Sequence, residues 1–174
     1  MTDDLPTPVA DALEGHDAFE PAAPGYELTT TVFDATVSAT DAEGPRDGAF
    51  RVTIRLPTLG AAVSGDAVAD IVETDWFETL ERRLEDVFTV ANTSTHDDPV
   101  VTREDEEVLV TLEYVAWDAG EGVEDAKALI EFVEGTYAQG LIPGYDYQGA
   151  AATLLESAQQ RGQEAAEGGG DAPL

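Results

Sequence analysis

Residues 107–138, EVLVTLEYVAWDAGEGVEDAKALIEFVEGTYA, decide the fold. Val108, Val110, Leu112 and Tyr114 take one face of an alternating strand, and Leu109, Thr111, Glu113 and Val115 take the other. After the turn Asp118-Ala-Gly-Glu-Gly122, apolar residues return at Ala126, Leu129, Ile130, Val133 and Tyr137, the stripe of an amphipathic helix. A strand that runs straight into a helix puts both on one core. The second strand face stands out, because Leu109 and Val115, leading to Trp117, are apolar in a chain that otherwise covers itself in carboxylates.

The flanking sequence repeats this grammar. In Ala49–Leu56, residues Phe50, Val52, Ile54 and Leu56 point inward and Arg51, Thr53 and Arg55 outward, with Pro57 and Gly60 closing the strand. Tyr26–Ala39 alternates with a phase flip at Val32-Phe33, which predicts two short strands around a bend. Thr7–Gly15 reads as a short helix with Thr7 as its cap and Pro8 in the first helical position. Phe19 anchors the loop that follows.

Ser64 or Asp66 can cap a helix carrying Val68, Ile71, Val72, Trp76, Leu80 and Leu84. Asp75 with Glu78 also fits a capping box, so a break near Thr74 is the alternative. Asp86–Ser94 has strand character, and Ala151, Leu154, Leu155 and Ala158 predict a last amphipathic helix. The expectation is one α+β domain over 1–163 and a disordered Gly-rich tail over 164–174. Within it lies an antiparallel sheet of about five strands with helices mainly on one face, in the order α-ββ(β)-α-ββ-α-α.

Composition narrows the setting. The 174 residues hold 37 acidic and 8 basic side chains, a formal charge of -29, with 43% hydrophobic residues and no cysteine. That apolar share suits a folded core despite the charge, and the lack of cysteine excludes disulfides and thiolate metal sites. No run approaches the ~18 apolar residues of a membrane span. Met-Thr-Asp-Asp-Leu-Pro has neither the basic nor the apolar region of a signal peptide, so a cytoplasmic location is the expectation. Nucleic acid and anionic membranes are disfavoured as partners, since phosphate binding needs a lysine and arginine footprint.

Lys127 is the only lysine, the other seven basic residues being arginine. At molar salt the Debye length falls to ~3 Å, and repulsion among surface carboxylates is largely screened. Lysine scarcity, carboxylate excess and abundant Ala, Val and Thr resemble the proteome-wide signature of salt-in haloarchaea. The chain as a whole resembles a small family of acidic haloarchaeal proteins, whose membership implies no activity. Its element order resembles the secretion-chaperone-like fold and the similar YbjN proteins, over most of the chain and through order, acidity and size. That resemblance implies a module that grips a partner polypeptide or pairs with itself.

No motif dictates a reaction. His96-Asp97-Asp98 with Glu104–Glu107 nearby is oxygen-rich enough for a hard metal or for proton transfer, but the spacing matches no metal loop and a solvated turn accounts for it. Gly120-x-Gly122 lacks the third glycine and the Lys-Ser/Thr of a phosphate loop. No metal and no cofactor site follows from the sequence.

Arg51 and Arg55 share a strand face and form a candidate anion-binding stripe, against the alternative of cross-strand pairing with carboxylates such as Glu113. Trp117, Leu141, Ile142, Tyr145 and Tyr147, with Leu109 and Val115, form a candidate contact surface. The expected role is a non-catalytic protein-binding or self-associating module, the runner-up a small-molecule or metal-dependent enzyme using the sheet face or the His96 region.

Overall fold

The computed structural model describes residues 5–22, 25–65 and 67–157. Asp66, Ala158 and the expected tail at 164–174 lie outside these residues. Six strands form one antiparallel sheet: β1 (Phe19–Pro21), β2 (Tyr26–Leu28), β3 (Asp34–Thr40), β4 (Gly48–Pro57), β5 (Val100–Glu104) and β6 (Glu107–Ala116). Their spatial order is β1-β2-β3-β4-β6-β5. The helices are α1 (Thr7–Glu14), α2 (Leu59–Ala62), α3 (Asp70–Leu84), α4 (Ala119–Gln139) and residues 149–157, named α5, with a 3₁₀ turn at Val87–Val90. The architecture is the expected α+β arrangement, with Phe19–Pro21 adding a strand where the sequence predicts a loop.

β4 and β6 form the centre, paired over their whole length from Gly48↔Ala116 to Pro57↔Glu107. Their inward residues alternate without interruption, and Val52, Ile54, Val108, Val110 and Leu112 are fully buried. α4 lies across this face with Ala126, Leu129, Ile130, Val133 and Tyr137 inaccessible to solvent. Each large aliphatic side chain buried in this way contributes ~1.5–3 kcal/mol. Phe50 stacks on Tyr114 with ring centroids 5.1 Å apart, and Trp76 meets Tyr137 edge-on at 5.8 Å. Both aromatic residues assigned to the core from their helix stripes, Trp76 and Tyr137, are in it.

α4 begins where β6 ends because Asp118 caps it, accepting from Glu121 N–H at 3.0 Å. Asp47, just before β4, reinforces this start, accepting from Ala119 N–H at 2.7 Å. Gly122 permits the helix to approach the sheet, since a Cβ there would stand 2.5 Å from Phe50 Cε1.

Three local expectations are corrected. Asp86–Ser94 is no strand: Val87 and Phe88 are both buried, and Asp86 C=O accepts from the Thr89 hydroxyl at 2.7 Å and its N–H at 3.0 Å. Two adjacent side chains turned to one core suit a tight helical turn and defeat strand alternation. At α1 the cap position is Pro6, with no side-chain hydrogen bond from Thr7. α3 starts at Asp70 after an uncapped Ala69 and runs unbroken through Thr74. Ser64 is engaged elsewhere, its N–H donating to Asp146 C=O at 2.8 Å. Among the described residues, no helix is long and apolar enough to cross a membrane.

Candidate functional site

Among the described residues, no helix packs along the outer face of the sheet, whose side chains repeat in rows set by strand register. Asp34, Arg55, Leu109 and Thr102 form one row, and Thr36, Thr53, Thr111 and Val100 the next. Ser38, Arg51 and Glu113 form a third, and Thr40, Ala49 and Val115 a fourth. Leu109 and Val115 therefore sit half-buried among threonines, an alanine and the arginines. Arg51 lies 3.5 Å from Glu113 and Arg55 3.0 Å from Glu107, so each guanidinium faces a carboxylate on β6. Pairs this exposed contribute little to stability, typically ~0–1 kcal/mol.

A cavity of about 430 Å³ opens on this face between the last two rows. Its wall is the segment Thr95–Asp97, which continues the edge of the sheet: Asp97 N–H donates to Glu113 C=O at 3.0 Å, and Val115 N–H to Thr95 C=O at 2.9 Å. Arg51, Glu113, Asp97, Ser38 and Thr40 line it. The His96 ring belongs to the opposite side, stacked on Phe88 with centroids 3.9 Å apart. The segment is held from behind by Asp125, 2% exposed, whose carboxylate accepts from Asn92 N–H at 2.7 Å, Asn92 Nδ2 at 3.1 Å and Thr93 N–H at 3.0 Å. Nothing in the pattern of residues 86–98 marks this clamp, because it joins positions 33 apart in the chain.

The candidate contact residues are split between two ends of the molecule. Trp117, 62% exposed, follows the last residue of β6 and lies 5.6 Å from the Arg46 guanidinium. Leu141, Ile142, Tyr145 and Tyr147 lie on the helical side, at the far end of β4. There Tyr147 pairs with Val63, and its hydroxyl donates to Ile142 C=O at 2.9 Å and accepts from Ile142 N–H at 2.7 Å. The two ends of a ten-residue strand stand ~30 Å apart. Among the described residues, the 141–147 loop does not cover Leu109 or Val115, and Gln148–Ala150 line a cavity with Arg55 and Glu107 at that end of the sheet.

Leu141 and Ile142 instead help form a second groove, of about 530 Å³, with Ile71, Val72 and Trp76 from α3. Ile71 is 80% exposed, the most exposed large apolar side chain among the described residues. α3 is held against this end by Glu73, whose carboxylate accepts from Gly60 N–H at 2.8 Å and Leu59 N–H at 3.2 Å at the start of α2. Burial raises the pKa of the adjoining Tyr137, and Tyr147 and Glu73 raise it further. Its hydroxyl stays neutral and donates to Pro57 C=O at 3.1 Å. Among the described residues no three His, Asp or Glu side chains cluster as a metal site.

Fold and surface together define an α+β protein with one open face of an antiparallel sheet and an apolar groove beside α3. The chain belongs to the family described as "Family of unknown function (DUF5813)", whose model matches residues 14–157. No curated protein and no solved structure matches it.

Proposed function

We propose that residues 1–163 form a cytoplasmic, salt-adapted binding domain without catalytic activity, which grips a partner polypeptide in the groove beside α3. The observation that carries this reading is Ile71, 80% exposed at a cavity lined by Val72, Trp76, Leu141 and Ile142, with Asp75, Thr79 and Arg83 as its polar part. Scattered exposed apolar residues are ordinary, but an exposed isoleucine at the lip of an apolar concavity on a chain of charge -29 is a place to seat a partner's apolar side chain. The carboxylates behind that charge favour a partner with basic flanks over a second copy of the chain, since at direct contact like charges lie too close for molar salt to screen them fully. The resemblance in element order to the secretion-chaperone-like and YbjN proteins, and in composition to haloarchaeal proteins, supports the reading by analogy alone.

The test uses Trp76 as a reporter in a Trp117→Phe background, which leaves one tryptophan. A basic amphipathic peptide should shift Trp76 emission saturably at high KCl, and Ile71→Asp should weaken that binding at least about tenfold. An emission spectrum indifferent to such peptides would defeat the proposal. A second reading, a small-molecule site, is favoured by the 430 Å³ cavity that gathers Arg51, Asp97, Glu113 and the hydroxyl side chains of Ser38, Thr40 and Thr95 on the sheet face. It predicts saturable binding of a small zwitterionic ligand that Arg51→Gln removes, with the fold intact.

A further inference from the structure

β5 ends the sheet, and among the described residues it hydrogen-bonds only β6. The opposite end is differently built: β1 has three residues and finishes on Pro21, which has no N–H to offer. Natural sheets guard an open edge with charge, proline or a bulge. The only charged side chains on β5 are Arg103 and Glu104, and neither guards the middle of the strand. Arg103 turns inward with its guanidinium 5.1 Å from the Phe77 ring, and Glu104 sits at the turn into β6, opposite Glu107.

The space beyond this edge has a definite chemistry. α3 and its C-cap Glu85 present Glu78, Glu81, Arg82 and Glu85 along one stripe, the i, i+3, i+4, i+7 positions of a helix. With Pro99 and Val101 they line a cavity of about 350 Å³. Three carboxylates against one guanidinium make it attractive to cations. On the other side of the same edge, Val100 is 52% exposed.

We propose that β5 receives an extended, basic segment of a partner polypeptide as a seventh strand. Side chains of an added strand alternate between the two faces of the sheet. Lysine or arginine at every second position would stand over the α3 stripe, and apolar residues or threonine at the intervening positions would lie beside Val100 and Thr102. A second copy of the chain fits badly: joining two β5 edges brings together two chains of charge -29 with their glutamate stripes on one side of the sheet. This surface is on a different face of α3 from the Ile71 groove, so the two proposals stand or fall separately.

The test compares a short alternating Lys-Val peptide with a Lys-Pro peptide of equal charge, which cannot donate backbone hydrogen bonds at its proline positions. At high KCl the Lys-Val peptide should bind at least about tenfold more tightly, and amide exchange at residues 100–104 should slow. At the lowest KCl that keeps the circular dichroism native, where charge is least screened, replacing Glu78, Glu81 and Glu85 together by Gln should weaken Lys-Val binding about tenfold, and Ile71→Asp should leave the affinity as it was. Equal binding of the two peptides would reduce the effect to bulk charge and overturn the proposal. So would unaltered exchange at 100–104, loss of binding in Ile71→Asp, or a peptide-free dimer already protected at β5.

Discussion

At Gly122 a Cβ would stand 2.5 Å from Phe50 Cε1 and 2.8 Å from the Ala116 methyl, whereas at Gly135, in the same helix, it would meet nothing within 4 Å. The two glycines thus answer to different physics. Gly122→Ala should destabilise the protein by ~1–3 kcal/mol through overpacking, while Gly135→Ala should stabilise it by ~0.5–1 kcal/mol through helix propensity and a less flexible unfolded chain. Denaturant titrations at high salt measure both, and equal effects would refute the close approach of α4 to β4. The sequence shows both glycines as alike, because what separates them is a contact with a residue 72 positions earlier. Tyr114 offers a second test at this scale. Burial raises its pKa, and the Asp125 charge raises it further, while its hydroxyl donates to Gly122 C=O at 2.6 Å. Unfolded tyrosine ionises near pH ~10. Below that value the contribution is intact; above it the unfolded state releases its proton first, and stability falls as pH rises. Alkaline titration followed by tyrosinate absorbance and circular dichroism should show Tyr114 ionising together with unfolding. Tyr114→Phe should soften that alkaline loss.

Among the elements, β4, β6 and α4 are legible in sequence because their periods of two and of 3.6 run for ten residues and more. Short elements are less so. β1 is three residues long and exists through its pairing with β2, and the 3₁₀ turn at Val87–Val90 carries apolar residues that imitate a strand. The segment after that turn depends on a distant helix. Asp125 of α4 accepts three hydrogen bonds from Asn92 and Thr93, which fixes where Thr95–Asp97 meets β6. Asp125→Ala leaves two backbone N–H groups without their acceptor and should cost about 2–3 kcal/mol. The loss should be local before it is global. Amide exchange should quicken at Asp97 and Val115, whose N–H groups close that pairing, while the β3–β4 ladder stays protected. Uniform loss of protection across the sheet would show that the clamp supports the whole core instead.

For the whole molecule, charge is the dominant variable, and the fold does little to neutralise it. Three Arg or Lys ion pairs occur among the described residues, against a formal charge of -29. The sequence foresaw this burden, and it foresaw Arg51 facing Glu113 from the alternation of one strand. It could not foresee that Trp117 and the 141–147 loop lie at opposite ends of β6 and β4, because local patterns do not say which end of a sheet a connection returns to. With so few compensating cations, stability must come from the apolar core working against the mutual repulsion of the remaining carboxylates. That repulsion is long-ranged at low ionic strength, where the Debye length is ~30 Å at 0.01 M, and nearly extinguished at ~3 Å in molar salt. Dialysis from molar KCl to low salt should therefore lower the thermal midpoint by tens of degrees or unfold the chain outright, as followed by circular dichroism. Mild acidification at low salt should restore part of the loss, because it discharges surface carboxylates. KCl and a non-ionic osmolyte at equal osmolality separate screening from general exclusion effects. If the osmolyte stabilises as well as the salt does, charge repulsion is not what limits this fold, and a spectrum and midpoint unchanged between low and molar KCl would end the salt-adapted reading altogether.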